Sequence, residues 1–173
     1  TSIMNKFLIV AFILINLSTV FGQEAWTNKS RILPDALRKV PVAISIIHSP
    51  NPNYPELATK ADRTKSTYVW RHATSMTSLN EDLEVIKAGS FIWYNTEGWK
   101  KNVEYDRKAF VKRFDCPKGI LKKGEVFTFE KNYRFGNNLY GGDALWYVLA
   151  KDKNGKIYKG MAILETEVEV LDN

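Results

Sequence analysis

The sequence predicts a mainly β fold, an antiparallel β-sandwich with one short helix. About eight short segments rich in β-branched and aromatic residues are separated by turn residues, and several of them alternate between apolar and polar positions. A single segment has the apolar spacing of a helix, and helices do not alternate with strands as they do in parallel α/β folds. We therefore expect two layers of antiparallel strands around one hydrophobic core.

Length and composition are those of an ordinary globular domain. The chain has 173 residues, 45% hydrophobic and 25% charged, which is enough for one domain with a sizeable core. Cys116 is the one cysteine, so an intramolecular disulfide framework, a cysteine-rich zinc site and a cysteine-ligated iron–sulfur cluster are excluded. The formal net charge is +6, but charges of both signs are mixed along the chain. We therefore expect no nucleic-acid partner.

The N-terminus has the pattern of a secretory signal peptide. Met4 reads as the start residue, and Lys6 is the positive charge that precedes an apolar run at 7–17. This run of about 11 residues has the length of a signal-peptide core and is too short to span a bilayer. We expect residues 1–22 to be removed by cleavage before Gln23, which leaves a secreted or periplasmic protein without a membrane span. An uncleaved membrane anchor is the alternative.

The remaining chain begins with a polar lead-in at 23–39, in which a short helical turn is expected after Pro34. Residues 40–48 are rich in Val and Ile, and they predict the first strand of a single β-sandwich domain that extends over 40–173. Three prolines then fall within six residues. Because proline disfavours both helix and central strand, we expect 49–66 to form a loop, which at about 18 residues is uncommonly long.

The next part of the chain predicts strands and a hairpin. Residues 67–79 alternate, which predicts a strand with one face formed by Tyr68, Trp70, His72, Thr74 and Met76. Residues 83–87 and 90–94 predict two short strands joined through an Ala-Gly dipeptide. The glycine-ended segment 95–98 predicts a hairpin into a strand at 99–104.

Residues 106–115 are predicted to form the one helix. Asp106 is placed to cap the free N–H groups of its first turn. Phe110 and Phe114 are i,i+4 neighbours on one face, while the intervening basic residues lie on the solvated face. A proline and a glycine just beyond the segment end the helix.

The C-terminal part predicts three more strands. Residues 126–130 form the first, and a glycine-rich loop follows at 131–143. Residues 144–151 are apolar on both faces, which is typical of a central strand covered on both sides. The Asp-Lys-Asn-Gly segment at 152–155 predicts a hairpin turn into a last strand at 156–171, which has one acidic face.

This order of elements resembles the immunoglobulin-like sandwiches in architecture. A cupredoxin-like sandwich is a close variant, because a helix inserted between strands is familiar there. The resemblance rests on a strand count and implies no functional residues, since fold alone does not give function.

A copper site has its ligand types in the sequence but not their spacing. A type 1 copper site needs two histidines, a cysteine and usually a methionine. The chain contains His48, His72, Met76, Cys116 and Met161. Cupredoxins have their Cys, His and Met on one late loop, whereas no histidine follows Cys116 in this chain. We therefore expect neither a metal nor another cofactor, and a copper-binding protein is the least favoured alternative.

Catalytic patterns are equally weak. As a nucleophile Cys116 would need a basic partner, for which His48 and His72 are the only candidates, and nothing around it matches a thiol-enzyme signature. We therefore expect it to be a buried structural cysteine. The sequence lacks the Gly-x-Ser-x-Gly signature of serine hydrolases. A secreted hydrolase that uses loop carboxylates remains the main alternative function, with the candidates Glu97, Glu104, Asp106 and Asp143.

The loop at 131–143 is the most unusual feature, because it combines three aromatic residues, three amides, an arginine and an aspartate. Aromatic faces stack on sugars or on partner side chains, and Tyr and Arg are enriched at interface hot spots. We expect a non-enzymatic binding module for a protein or carbohydrate partner. Its candidate ligand-binding residues are Tyr133, Arg134, Asn137, Asn138, Tyr140 and Asp143, joined by Trp99 from the preceding hairpin. The alternative is that these aromatics only seal the ends of the sandwich.

Overall fold

The computed structural model describes residues 31–93 and 98–171. The predicted signal peptide and its cleavage site before Gln23 lie outside these residues, as does most of the predicted turn at 95–98. No helix within the described ranges has the length and apolar character needed to cross a membrane.

The described chain contains two α-helices and eleven strands. The helices are α1 (Asp35–Arg38) and α2 (Arg107–Phe114). The strands are β1 (Val42–Ser49), β2 (Pro55–Leu57), β3 (Tyr68–Trp70), β4 (Ala73–Ser78), β5 (Leu83–Trp93), β6 (Trp99–Asp106), β7 (Ile120–Leu121), β8 (Val126–Phe129), β9 (Arg134–Gly136), β10 (Gly142–Lys151) and β11 (Ile157–Thr166).

The strands form a large sheet and a small one. The large sheet has the order β6-β5-β10-β11-β1-β4-β8, and β7 adds to it by pairing with β5. Its neighbours are antiparallel except for β1 and β11, which run parallel. The small sheet has the antiparallel order β2-β3-β9. The prediction of a mainly β, antiparallel fold is confirmed for the described residues. The prediction of one short helix is confirmed as well, since α2 is longer than a single turn and α1 is not.

The large sheet curls around α2, so that its two ends face each other across the core. Phe114 of α2 lies 5.8 Å from Tyr105 of β6 and 5.1 Å from Phe129 of β8, measured between ring centroids. These strands stand at opposite ends of the strand order. The two halves of this curled sheet therefore provide the facing layers that the sandwich prediction requires.

The helix forms as its sequence predicts. The Asp106 carboxylate accepts a hydrogen bond from the backbone N–H of Ala109 at 2.7 Å, and Phe110 and Phe114 are buried in the core. Cys116 lies in the same core, where burial raises the pKa of its thiol to about 11. A thiol that remains protonated and enclosed fits the structural role expected of it.

Strand β10 is covered on both faces, as predicted for a central strand. Trp146 and its alternate neighbours point into the main core, whereas Leu145 and Tyr147 contact Leu37 of the lead-in on the other side. The predicted helical turn after Pro34 is α1, and the buried Lys159 ammonium donates to the Leu37 carbonyl at 2.6 Å. The described part of the lead-in thus forms an outer layer over the sheet.

The long loop predicted at 49–66 is wrong in part, because it contains β2. Pro55 begins this strand, and β2 stands at the edge of the small sheet, where a residue without an N–H is tolerated. The single strand predicted at 67–79 divides into β3 and β4, which belong to different sheets. The break at 71–72 lets the chain pass from the small sheet to the large one.

The two short strands predicted at 83–87 and 90–94 form one continuous strand, β5. Gly89 is required for the close approach of β6 rather than for a turn, since a Cβ atom there would lie 2.3 Å from the carbonyl oxygen of Val103.

The hairpin at 152–155 is confirmed, and the Asp152 carboxylate accepts from the N–H groups of Asn154 and Lys156. The last strand ends at Thr166 rather than at 171.

Candidate functional site

The predicted binding loop contains β9, and the two faces of this short strand lead to different surroundings. Side chains alternate along a strand, so Tyr133 and Phe135 lie on one face and Arg134 and Gly136 on the other. Tyr133 and Phe135 line a surface groove of about 640 Å³. We call it the basic groove, and its polar and aromatic lining is formed by Asp62, Arg63, Arg71, Arg113, Lys131, Tyr133 and Phe135.

Arg71 is a fixed structural element of the basic groove. Its guanidinium makes two hydrogen bonds to the Asp62 carboxylate, at 2.6 and 2.8 Å, and a third to Glu56 at 3.0 Å. The hydrogen bonds from Arg71, aided by the Thr59 N–H, hold the pKa of Asp62 well below its usual range. The guanidinium also lies 5.2 Å from the centre of the Tyr133 ring. Arg71 therefore supports the wall and is already neutralised.

Three other cations of the basic groove, Arg63, Arg113 and Lys131, have no ion-pair partner among the described residues. Arg63 follows a 3₁₀ turn that Thr59 and Asp62 cap, and it adopts a left-handed conformation with φ of 50°. Arg113 lies in the last turn of α2. Local structure therefore places separate positive charges along one groove, where they favour a ligand with more than one negative group.

The aromatic part of the basic groove consists of Tyr133 and Phe135. Their ring centroids are 6.5 Å apart, with an angle of 69° between the ring planes. Phe135 is 42% exposed, so part of its ring is open to solvent. Exposed rings beside unpaired cations can bind a ligand that has both apolar C–H surface and anionic groups.

On the inner face of β9, Arg134 reaches toward the large sheet. Its guanidinium lies 4.9 Å from the centre of the Trp146 ring, and burial lowers its pKa. Tyr140 stacks on Trp70 at 4.2 Å, and burial raises the pKa of Tyr140. Gly136 permits this stack, because a Cβ atom there would lie 3.2 Å from the Tyr140 ring. Arg134 and Tyr140 thus belong to the junction between the two sheets.

His48 and His72 meet in this junction, with ring centroids 5.6 Å apart in an edge-to-face arrangement. Both side chains are buried. Burial, and then the charge of Arg134, lowers the pKa of His48 to about 4. Burial, His48 and Arg134 lower the pKa of His72 to about 3, against a smaller opposing effect of the Trp70 backbone. Both imidazoles are therefore neutral at pH 7.

Each imidazole is oriented through its Nδ1 atom. The Nδ1 of His48 lies 2.9 Å from the Thr74 hydroxyl, which also accepts from the Asn132 side-chain amide at 2.9 Å. The Nδ1 of His72 lies 3.1 Å from the amide nitrogen of Asn53.

We call Arg134, His48, His72 and Trp146 the Arg134 cluster. The described residues contain no group of three or more His, Cys, Asp or Glu that could hold a metal ion.

Two of the predicted ligand-binding residues, Trp99 and Asp143, form a separate group with the lead-in. The Arg31 guanidinium makes a 2.6 Å ion pair with Asp143 and lies 5.5 Å from the centre of the Trp99 ring. The ring of Trp93 meets that of Trp99 edge to face, with centroids 5.2 Å apart, and it also contacts Arg31. These side chains attach the lead-in to the sheet and are not joined to the basic groove.

The two amides lie at the turn after β9. The side-chain oxygen of Asn137 accepts a hydrogen bond from the backbone N–H of Thr67 at 3.1 Å, which ties the turn to the start of β3. Asn138 is exposed. The seven predicted residues are therefore distributed over the basic groove, the Arg134 cluster with its neighbour Tyr140, the turn at 137–138 and the Arg31 contact.

Most of the basic groove was not predicted from the sequence. Arg63 lies in a loop that was singled out only for its length, and Arg113 was interpreted as part of a solvated helix face. Neither residue has a local signal, since the groove forms only when the 3₁₀ turn, α2 and the segment around β9 come together. The proximity of His48 and His72 was missed for the same reason, although the pairing of His48 with Thr74 brings β1 beside β4.

The candidate catalytic carboxylates mostly have structural partners. Glu104 binds Lys87 and Lys101, Asp106 caps α2, and Asp143 binds Arg31. Glu97 lies outside the described residues.

Comparisons of this chain with protein-family models, with curated proteins and with solved structures give no significant match. Function must therefore be inferred from the basic groove and the Arg134 cluster themselves.

Proposed function

We propose that the protein is an exported, non-enzymatic binding module that holds an acidic glycan in the basic groove. The observation that carries this proposal is the row of three unpaired cations, Arg63, Arg113 and Lys131, beside the rings of Tyr133 and Phe135. Export is the expectation from the N-terminal sequence, and the binding role is the expectation from the loop at 131–143.

The chemistry of a charged sugar matches this lining. Sugar rings present C–H groups that pack on aromatic faces, and their carboxylate or sulfate groups make charge-assisted hydrogen bonds to arginine and lysine. A volume of about 640 Å³ lies within the usual range for small-ligand sites and would hold a few sugar units. A neutral glycan would leave the three cations without partners, so we favour an acidic one.

The alternative of a carboxylate hydrolase finds less support in the basic groove. Glycoside hydrolysis needs two carboxyl groups, one of them able to donate a proton. Asp62 is the one carboxylate in the groove lining, and two hydrogen bonds from Arg71 keep it ionised. The lining thus favours binding of an anion over acid catalysis.

The test is a binding assay with polymers that differ in charge and in backbone. Polygalacturonate, neutral galactan and poly-glutamate are compared by calorimetry with the full chain. We expect binding to polygalacturonate that weakens as salt concentration rises, and weak or no binding to galactan. The double variant R113Q/K131Q should bind polygalacturonate at least about ten-fold more weakly, since each change removes a charged hydrogen-bond donor.

A matched control uses two other basic residues of α2. Lys108 and Lys112 are exposed and do not line the basic groove, so the variant K108Q/K112Q changes the charge equally. It should bind as the parent protein does. Equal losses in the two double variants, or tighter binding to poly-glutamate than to polygalacturonate, would contradict the proposal, and the second result would point to an acidic peptide.

A further inference from the structure

Unpartnered polar atoms are concentrated at the junction between the two sheets. His48 Nε2, His72 Nε2, Asn53 Oδ1 and Trp146 Nε1 are buried without a hydrogen-bond partner in the described structure. They belong to one neighbourhood, because the ring of His48 lies 5.6 Å from that of His72 and 6.3 Å from that of Trp146. Buried polar atoms are nearly always satisfied, so such a group points to a site that a ligand completes.

The hydrogen-bond network engages Nδ1 of each imidazole and leaves Nε2 without a partner. The Thr74 hydroxyl accepts from Asn132 and keeps its own hydrogen, which pairs with His48 Nδ1 in the tautomer that has its hydrogen on Nε2. The Asn53 amide nitrogen donates to His72 Nδ1. With Nδ1 as the acceptor, each neutral imidazole carries its single hydrogen on Nε2, which is the tautomer that an anionic ligand requires here. With the indole N–H of Trp146, this makes three buried donors.

Arg134 adds a positive charge to these donors. Its guanidinium lies over the Trp146 ring and makes neither an ion pair nor a hydrogen bond with a residue in the described ranges. The groups that act on it electrostatically are Tyr140, Tyr105 and Arg113, none of which is a carboxylate. The same group of unpartnered atoms contains one acceptor, Asn53 Oδ1.

An excess of donors around a cation selects an anionic, acceptor-rich ligand. A metal ion would meet the positive charge of Arg134, so its binding is disfavoured. A carboxylate offers several lone pairs and the compensating charge. Tyr140, which acts electrostatically on Arg134, is 43% exposed, so this side of the junction reaches the protein surface.

We propose that the Arg134 cluster is a binding site for a small carboxylate, in which Arg134 provides the charge and His48, His72 and Trp146 donate hydrogen bonds. The site lies on the opposite face of β9 from the basic groove and does not depend on the proposed function. The carboxylate belongs either to a free small acid or to a uronic acid unit of a glycan, and the two sources are separable by experiment.

The first test uses the unmodified protein with ¹⁵N-labelled histidines. Long-range ¹H–¹⁵N spectra at pH 7 report which ring nitrogen carries the hydrogen. We expect Nε2–H for both His48 and His72. Hydrogen on Nδ1 in either ring would remove a donor and overturn the proposal, and this readout does not depend on any variant.

The second test is a titration with acetate and, separately, with a galacturonate oligomer, at constant ionic strength maintained with chloride. Saturating shifts of the two imidazole Nε2 signals are expected. Shifts with acetate assign a free small acid, and shifts with the oligomer alone assign the glycan source. The proposal fails if both titrations give shifts no larger than those with chloride.

Variants then separate this site from the basic groove. R134Q should weaken the imidazole response at least about ten-fold, because the charged donor is lost. K131Q removes a cation of the basic groove that does not act on Arg134, so it should leave the acetate response unchanged while it weakens polygalacturonate binding. An acetate response that survives in folded R134Q would overturn the assignment, whatever the outcome for the groove.

Discussion

At the scale of single residues, the buried pair His48 and His72 links folding to pH. Their pKa values are lowered from 6.5 to about 4 and about 3, mainly because burial disfavours the charged form. Between pH 6.5 and these lowered pKa values, the unfolded chain therefore binds more protons than the folded chain. The contribution of the two neutral imidazoles to the free energy of unfolding is complete above pH 6.5. It is lost as the pH falls toward the pKa values of the folded state.

We predict that the free energy of unfolding decreases as the pH is lowered from 6.5 toward 5. The slope should approach about 1.4 kcal/mol per pH unit for each histidine that titrates, since the unfolded state takes up one proton per ring. Denaturant unfolding followed by tryptophan fluorescence at several pH values measures this slope. The double variant H48Q/H72Q is the control and should show a flatter profile. A constant free energy of unfolding in the parent protein over this range would contradict the prediction.

At the scale of elements, α2 carries both core residues and one wall of the basic groove. Its start depends on the hydrogen bond from the Ala109 N–H to the Asp106 carboxylate. Its buried face holds Phe110 and Phe114, while Arg113 in its last turn lines the basic groove. Stability and the proposed binding thus depend on the same short helix.

We predict that Asp106→Ala lowers the free energy of unfolding by about 1 kcal/mol, because the first turn loses its cap. Asp106→Asn should retain most of the stability, since asparagine caps about as well as aspartate. Denaturant midpoints of the three proteins give the comparison. Equal losses in the alanine and asparagine variants would show that the charge, rather than the cap, is what matters.

Elements with local signals were predictable from the sequence, whereas those defined by distant partners were not. The capped helix, the Asp-Lys-Asn-Gly hairpin and the doubly apolar β10 each follow from neighbouring residues. Strands β2 and β9 have three residues each and exist because β3 pairs with both. Gly89 was misinterpreted because the backbone it approaches, at Val103, belongs to another strand.

At the scale of the whole molecule, residues 31–39 of the lead-in form an integral layer rather than an appended tail. Leu37 is fully buried against Leu145 and Tyr147, and its carbonyl satisfies the buried ammonium of Lys159. Arg31 adds contacts to Asp143 and Trp99. Helix α1 has only four residues, too few for the spacing of its apolar residues to indicate a buried face. The sequence therefore predicts only a polar lead-in.

We predict that Leu37→Ala lowers the free energy of unfolding by about 2–5 kcal/mol, the usual cost of truncating a fully buried leucine. Leu57→Ala is the matched control, since Leu57 is 64% exposed, and it should change stability by less than about 0.5 kcal/mol. Denaturant unfolding of both variants makes the measurement. If the two losses are alike, the lead-in is not part of the cooperative unit.

The parallel pairing of β1 with β11 has a consequence for biosynthesis. These are the first and last strands of the described chain, and β1 fills its place between β11 and β4 only when both neighbours are present. A nascent polypeptide therefore has β4 early but lacks β11, the other neighbour of β1, until residues 157–166 have been synthesised. Such high contact order slows folding, which suits the export that we propose.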